Sequence, residues 1–337
     1  MDQEKSFKKA LLGHKNILEY LEGSIRQGKI SHAYLFLGPE GIGKKKVAKH
    51  FIHAILKSFH SENKDLGEKG QIICQDNLET NPDFHLIEKE NEKNQISIEK
   101  IRALIHDLGL KPHHSPYKFA LIDDVDLLTK GAANSFLKTL EEPSKKTVIV
   151  LISSRESFVP ETIKSRCQII RFNHVSPDEI FQYLKEQKLN SSLARKFSKL
   201  AQGRPGVAIN FHLQPEKYEE YRQNIAIFID LFEGNIPKKF LILNELKNRL
   251  SKTGNSDDEI RKIISVWLSV LRDLLLVKMD LKERIIHQGK EIAYSRLAKN
   301  RDPLYFTALI NQLIISLNFL KNNVNYHLLL ENFVLKI

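Results

Sequence analysis

Gly38-Pro39-Glu40-Gly41-Ile42-Gly43-Lys44 sets Gly38 and Gly43 on either side of four residues, with Lys44 directly after. That spacing lets several main-chain N–H groups converge on one phosphate, and the lysine adds a point charge. The following residue decides whether a divalent metal can join. A Ser or Thr hydroxyl there would ligate Mg²⁺, but this chain carries Lys45. An ammonium close to a divalent cation costs on the order of several kcal/mol at moderate effective dielectric, unless the side chain swings out to solvent. Two readings stay open: a degenerate nucleotide site, or a turn that needs glycine for its backbone alone.

Phe119-Ala120-Leu121-Ile122-Asp123-Asp124 is the second tract with chemistry in it. An uncharged strand ends in two carboxylates, at the edge where parallel sheets bind ligands. In a phosphate-loop nucleotidase Asp123 would hold the water shell of the metal. The next position would carry a longer Glu that orients the attacking water, and Asp124 is one methylene short of that reach. Ser153-Ser154 places further polar groups at the end of another apolar run, Thr147 to Ile152.

These tracts need elements to hold them. Tyr34 to Leu37 reads as a buried strand, and Val47, Phe51, Ile52 and Ile55 give the helix after it, from about Lys44 to Phe59. Leu11-Leu12-Gly13-His14 with Ile17, Leu18, Leu21 and Ile25 predicts an amphipathic helix before it. Residues 60 to 80 read as a polar excursion. Asp83 to Ile87 and Ile169 to Phe172 are further short strands, and Ile98 to Leu110 is a helix that stops before Pro112. Strands alternating with helices predict a parallel, doubly wound sheet.

Beyond it the pattern is helical. Ser176-Pro177-Asp178-Glu179 combines a capping box with proline at the first helical position. Pro205 and Gly206 are expected to break the helices that follow. From about residue 214 wide apolar stripes recur: Ile263-Ile264, Trp267-Leu268, Leu271 and Leu274-Leu275 behind a Ser256-x-x-Glu259 cap, then Leu309-Ile310, Leu313-Ile314, Leu317 and Leu320.

The 337 residues are 42% apolar and 28% charged, with a net charge of +11. That composition is ordinary for a globular protein of about two domains, or three small ones. No apolar run is long enough for a membrane span, and no secretory signal is visible at the start. Two cysteines, Cys74 and Cys167, make no disulfide framework, so a cytoplasmic setting is expected. The positive balance favours an anionic partner such as nucleic acid or nucleotide.

Ala132 to Pro143, ending Leu140-Glu141-Glu142-Pro143, followed by Ser165-Arg166-Cys167, resembles the bacterial clamp loader of DNA polymerase III, and within that AAA+ family the delta prime type of subunit. Ser31 to Phe36, Asn81-Pro82-Asp83-Phe84-His85 and Leu328 to Glu331 support the likeness, which is dense over residues 10 to 210.

The resemblance implies an AAA+ α/β domain over residues 1–173, a small helical lid over 174–213 and an all-α oligomerisation collar over 214–337. It makes Lys45, Asp124 and Gly206 departures from the ATPase pattern, Gly206 standing where ATPase members carry a nucleotide-sensing arginine. It makes Arg166 the finger presented to the ATP of a neighbour. Gamma/tau motor subunits, a delta subunit, the sliding clamp and primed DNA are the implied partners, in a bacterial replisome at the nucleoid. No cofactor is expected, and ATP with Mg²⁺ is in doubt at Gly38, Gly43, Lys44, Lys45, Asp123 and Asp124. Related subunits carry a four-cysteine zinc module. Here only Cys74 stands in that region, with His60 and His85 as conceivable companions, so no metal is expected. Cys167 reads as a packed thiol. Competing readings are an active AAA+ ATPase, of gamma/tau type or another DNA motor, and a generic basic DNA-binding protein.

Overall fold

The computed structural model describes residues 12–62, 78–89, 95–113, 115, 117–144, 146–251, 256–320 and 325–337. Its contacts divide the chain into two compact units, Met1–Gln187 with Ala201–Val207, and Lys188–Leu200 with Ala208–Ile337.

The first unit alternates α1 (Lys15–Arg26), β1 (Ala33–Leu37), α2 (Lys44–Glu62), β2 (Phe84–Ile87), α3 (Ile98–Gly109), β3 (Lys118–Ile122), α4 (Lys130–Glu141), β4 (Thr147–Ser153), α5 (Glu161–Lys164), β5 (Gln168–Arg171) and α6 (Pro177–Glu186). The strands form one five-stranded sheet in the order β2-β3-β4-β1-β5. All pairings are parallel, with Leu35 opposite Leu151 and Ile169, and Ile122 opposite Leu151. A strand covered on both faces reads as a continuous apolar run. Accordingly every residue of β1, β3 and β4 is buried, including Lys118 and Thr147, whereas edge strand β5 exposes Gln168 and Arg171. Leu35, Ile122, Phe136 and Leu151 belong to one core between the sheet and the helices on that face.

Two sequence expectations change. The first helix begins only at Lys15, because Gly13 and His14 take left-handed φ values of 73° and 59°. Pro205 and Gly206 open a helix rather than break one. The preceding helix ends at Leu200, and Pro205 is the first residue of the next, where its missing N–H costs nothing. The Ser176 cap forms as read, its hydroxyl accepting from the Glu179 N–H at 3.1 Å.

The second unit is helical: α7 (Ser191–Leu200), the continuation of α8 (Pro205–Leu213), α9 (Pro215–Glu233), α10 (Ile236–Leu250), α11 (Ser256–Lys278), α12 (Glu291–Ala298), α13 (Pro303–Phe319) and α14 (Tyr326–Val334). Trp267 on α11 is fully buried, packs on Phe228 and Phe333, and donates its indole N–H to the Asn224 carbonyl at 3.3 Å. The stripe on α13 buries Leu309 and Leu313, with Leu320 just past its end, but leaves Ile314 facing solvent. Among the described residues no helix is long and apolar enough to cross a membrane.

Candidate functional site

The phosphate-type loop leaves β1 at Leu37 and enters α2 at Lys44. At Gly38 a β-carbon would lie 2.6 Å from the Phe172 carbonyl oxygen, so the main chain can pass only without one. Gly41 and Gly43 turn the loop with φ of 75° and 106°, a region L side chains rarely enter. The loop thus has the glycines its shape requires. Its open face is taken up by the chain's own groups.

Lys44 is buried and points back into the loop. Its ammonium donates to the carbonyls of Gly38 at 2.6 Å and Pro39 at 2.8 Å. Burial lowers its pKa, against the attraction of Asp123, Asp124, Glu40 and Asp126. Lys45 does not swing out to solvent. Its ammonium lies 3.2 Å from an Asp123 carboxylate oxygen and donates to Glu88, just beyond β2. Burial works against its charge, yet the hydrogen bonds and charges of Glu88 and Asp123 prevail and its pKa is raised. A cation is therefore already bonded to the carboxylate that would hold the shell of a metal.

Asp124 follows with a left-handed φ of 56°. Burial, with the like charges of Asp123 and Asp126 beside it, pushes its carboxyl up to about 6. The third acid of the cluster, Asp126, is ion-paired. It accepts from the Ser153 hydroxyl at 2.6 Å and pairs with Arg155 at 2.5 Å, fastening the tip of β4 to the loop after β3. Sequence reasoning noted the serine as a polar tip and missed both Asp126 and Arg155.

The loop is also covered. The N–H of Gly206 donates to the Gly41 carbonyl at 2.7 Å, and a β-carbon at 206 would meet that oxygen at 2.8 Å. His14 lies against the same loop, its Nε2 hydrogen bonded to the Ile42 carbonyl at 3.0 Å and its ring edge-on to Phe172. Burial lowers the His14 pKa, against the pull of that carbonyl and Glu179.

A family model described as DNA polymerase III, delta subunit, matches residues 13–176. The DNA polymerase III subunit delta' of Bacillus subtilis is 27% identical over 328 residues, 95% of this chain and 94% of that protein. The chain resembles subunits of the DNA polymerase III clamp loader along nearly its whole length. A DNA polymerase III subunit gamma of Buchnera aphidicola is 28% identical over 276 residues, 79% of this chain and 74% of its own. A solved DNA polymerase III gamma subunit-related protein of Thermotoga maritima has the same fold, with a TM-score of 0.51 at 18% identity over 94% of this chain and 97% of its own.

The other motifs of the chain separate into scaffold and surface. Asp83, fully buried, accepts from the N–H groups of His113 at 2.8 Å and Ser115 at 2.9 Å and lies 3.7 Å from the Lys118 ammonium. The Asn81-to-His85 segment therefore organises the approach to β3 rather than a ligand. Cys167 packs on the core, where burial pushes its thiol up to about 12, far from nucleophilic use. Cys74 and the side chain of His60 lie outside the described residues, as do Leu11 and the side chain of Ser256. Among the described residues no cluster of three or more His, Cys, Asp or Glu could hold a metal.

Arg166 sits after the single turn of α5, away from the phosphate-type loop. Its Nε donates to Glu141 at 2.8 Å, Nη2 reaches the same carboxylate oxygen, and Nη1 donates to the Thr162 carbonyl at 2.8 Å. The side chain remains 32% exposed, so it faces outward from the unit even while bonded.

Proposed function

We propose that this chain is the delta prime-type subunit of a clamp loader, a part that does not hydrolyse ATP itself and presents Arg166 to the ATP of a neighbouring motor subunit. The observation that carries the first half is the Lys45 ammonium on Asp123. A lysine in the metal's place, together with Asp124 and Gly206, removes metal, water-orienting acid and sensing arginine from one site. The second half rests on the Ser165-Arg166-Cys167 motif and on the exposed setting of its arginine. A guanidinium beside the transferred phosphoryl group stabilises transition-state charge and can be supplied by a second protein.

On this reading the partners are gamma/tau motor subunits, a delta subunit, the sliding clamp and primed DNA, in the cytoplasm at the replisome. The helical unit is the collar through which the subunits assemble. DNA contact, driven by the excess of lysine and arginine, is blind to sequence and weakens steeply as salt rises.

The test is the reconstituted complex with Arg166→Ala, beside Arg171→Ala as a control in a comparable exposed ion pair with Glu156. Hydrolysis at the neighbour's site should fall sharply, by about 10³ to 10⁵ in the GTPase precedent. The total should fall less, because other sites keep their own arginines. Equal, wild-type turnover from both variants overturns the assignment.

A second reading, an active ATPase of gamma/tau type, has the intact G-x-x-x-x-G-K spacing and the gamma relative in its favour. Turnover of ATP by the isolated chain decides between them.

A further inference from the structure

Glu141 and Arg166 come from two separate motifs that the fold brings into contact. A guanidinium has five N–H donors in a rigid fork. Nε and Nη2 of Arg166 both donate to Glu141 Oε1, while Nη1 donates to the Thr162 carbonyl at 2.8 Å and the Ser165 hydroxyl at 3.1 Å. One donor of Nη2 lies outside these contacts. Glu141 is itself fixed: it closes α4, and the carbonyl of Leu140 beside it is hydrogen bonded to His32 Nε2 at 3.0 Å.

Ion pairs as exposed as this one, at 32% and 47%, contribute little to the stability of a fold. The contacts do have one definite effect. A long side chain with many rotamers is held in a single plane, so that ordering need not be supplied when a ligand arrives.

We propose that Glu141 is a positioning residue. Its carboxylate, with the Thr162 carbonyl and the Ser165 hydroxyl, sets the plane of the Arg166 guanidinium so that the remaining Nη2 edge meets the phosphoryl oxygens of ATP bound to an adjacent subunit. The proposal rests on the finger reading of Arg166. Glu141 touches no substrate and acts only through the arginine. His32 belongs to the same device, because it anchors the helix end from which Glu141 projects.

The experiment uses the assembled complex carrying Glu141→Ala, Glu141→Gln, Arg166→Ala or the Glu141→Ala/Arg166→Ala pair, with kcat and KM for ATP measured for each. Glu141→Ala should lower kcat at the facing site on the order of ten-fold, with KM unchanged, since a misplaced group weakens the transition state and not ground-state binding. Glu141→Gln should recover most of that loss, because its amide oxygen still accepts from Nε and Nη2. The pair should match Arg166→Ala alone. Wild-type kcat for Glu141→Ala, beside an impaired Arg166→Ala, overturns the positioning role and leaves the finger intact. The same fold-loss from Glu141→Ala in the Arg166→Ala background also overturns it. Wild-type kcat for Arg166→Ala removes the finger reading itself. Thermal melting of the isolated variants separates these outcomes from misfolding.

Discussion

The Lys45 ammonium lies 3.2 Å from the Asp123 carboxylate, across the mouth of the phosphate-type loop. Lys45→Thr should release Asp123 and Glu88 and supply the hydroxyl a metal needs. Titration of a fluorescent ATP analogue with Mg²⁺ should show no tight saturable binding to the wild type and measurable binding to the variant. ATP turnover should stay absent in both, because Asp124 and Gly206 are unchanged. Micromolar affinity in the wild type contradicts the account.

Asp124 gives a pH signature. Its folded-state pKa of about 6 lies above the ordinary carboxylate value, so the folded chain holds this proton more tightly than the unfolded chain. Stability is therefore lost as pH rises from about 4 through 6. Asp124→Asn should raise the melting temperature at pH 7 by the equivalent of about 1–2 kcal/mol. The gain should shrink as pH falls and vanish below about 4, where the acid is neutral in both states. A gain independent of pH would assign the effect to something other than charge.

Gly206 and Gly23 make a matched pair. Gly206→Ala would press a β-carbon to 2.8 Å from the Gly41 carbonyl oxygen and 3.3 Å from its Cα, atoms of main chain that cannot rotate away. A loss of about 1–3 kcal/mol is expected by denaturant unfolding. Gly23 lies inside α1 with nothing within 4 Å of its β-carbon position, so Gly23→Ala should stabilise by about 0.5–1 kcal/mol. Equal effects would mean that the close approach at 206 is easily relieved.

In the helical unit Asp273 is fully buried. It accepts from the N–H groups of Ile286 and His287, both at 2.9 Å, pairs with Arg272 at 2.9 Å and lies 2.8 Å from His287 Nδ1. Asp273→Ala leaves the N–H groups of Ile286 and His287 buried and unmatched. It should cost about 3 kcal/mol, readable as a lower unfolding midpoint at constant denaturant slope. A change near zero would mean that water or a shifted backbone replaces the carboxylate.

The elements of the sheet were legible because each is short, apolar and bounded by polar turns. The run from Thr147 to Ile152 became β4 with one residue added. What decides the chemistry was less legible, since it depends on pairs distant along the chain. Lys45 at the metal's place is visible in sequence, but its second partner Glu88 stands 43 positions away, beyond a strand whose neighbour only the sheet order specifies. Glu141 was visible as part of a motif. That it bonds Arg166 follows from how α4 and α5 pack. Proline misled at 205 because the same ring that ends one helix can begin the next, and only the turn at 201–204 tells which.

The hydrogen bond from Gly206 to Gly41 also bears on redesign. Any residue other than glycine at 206 brings a β-carbon against the Gly41 carbonyl oxygen before its side chain can reach the loop. An arginine introduced there to address a nucleotide needs the main chain at Gly41 to move with it, so one substitution at 206 carries the cost of that shift along with whatever it gains.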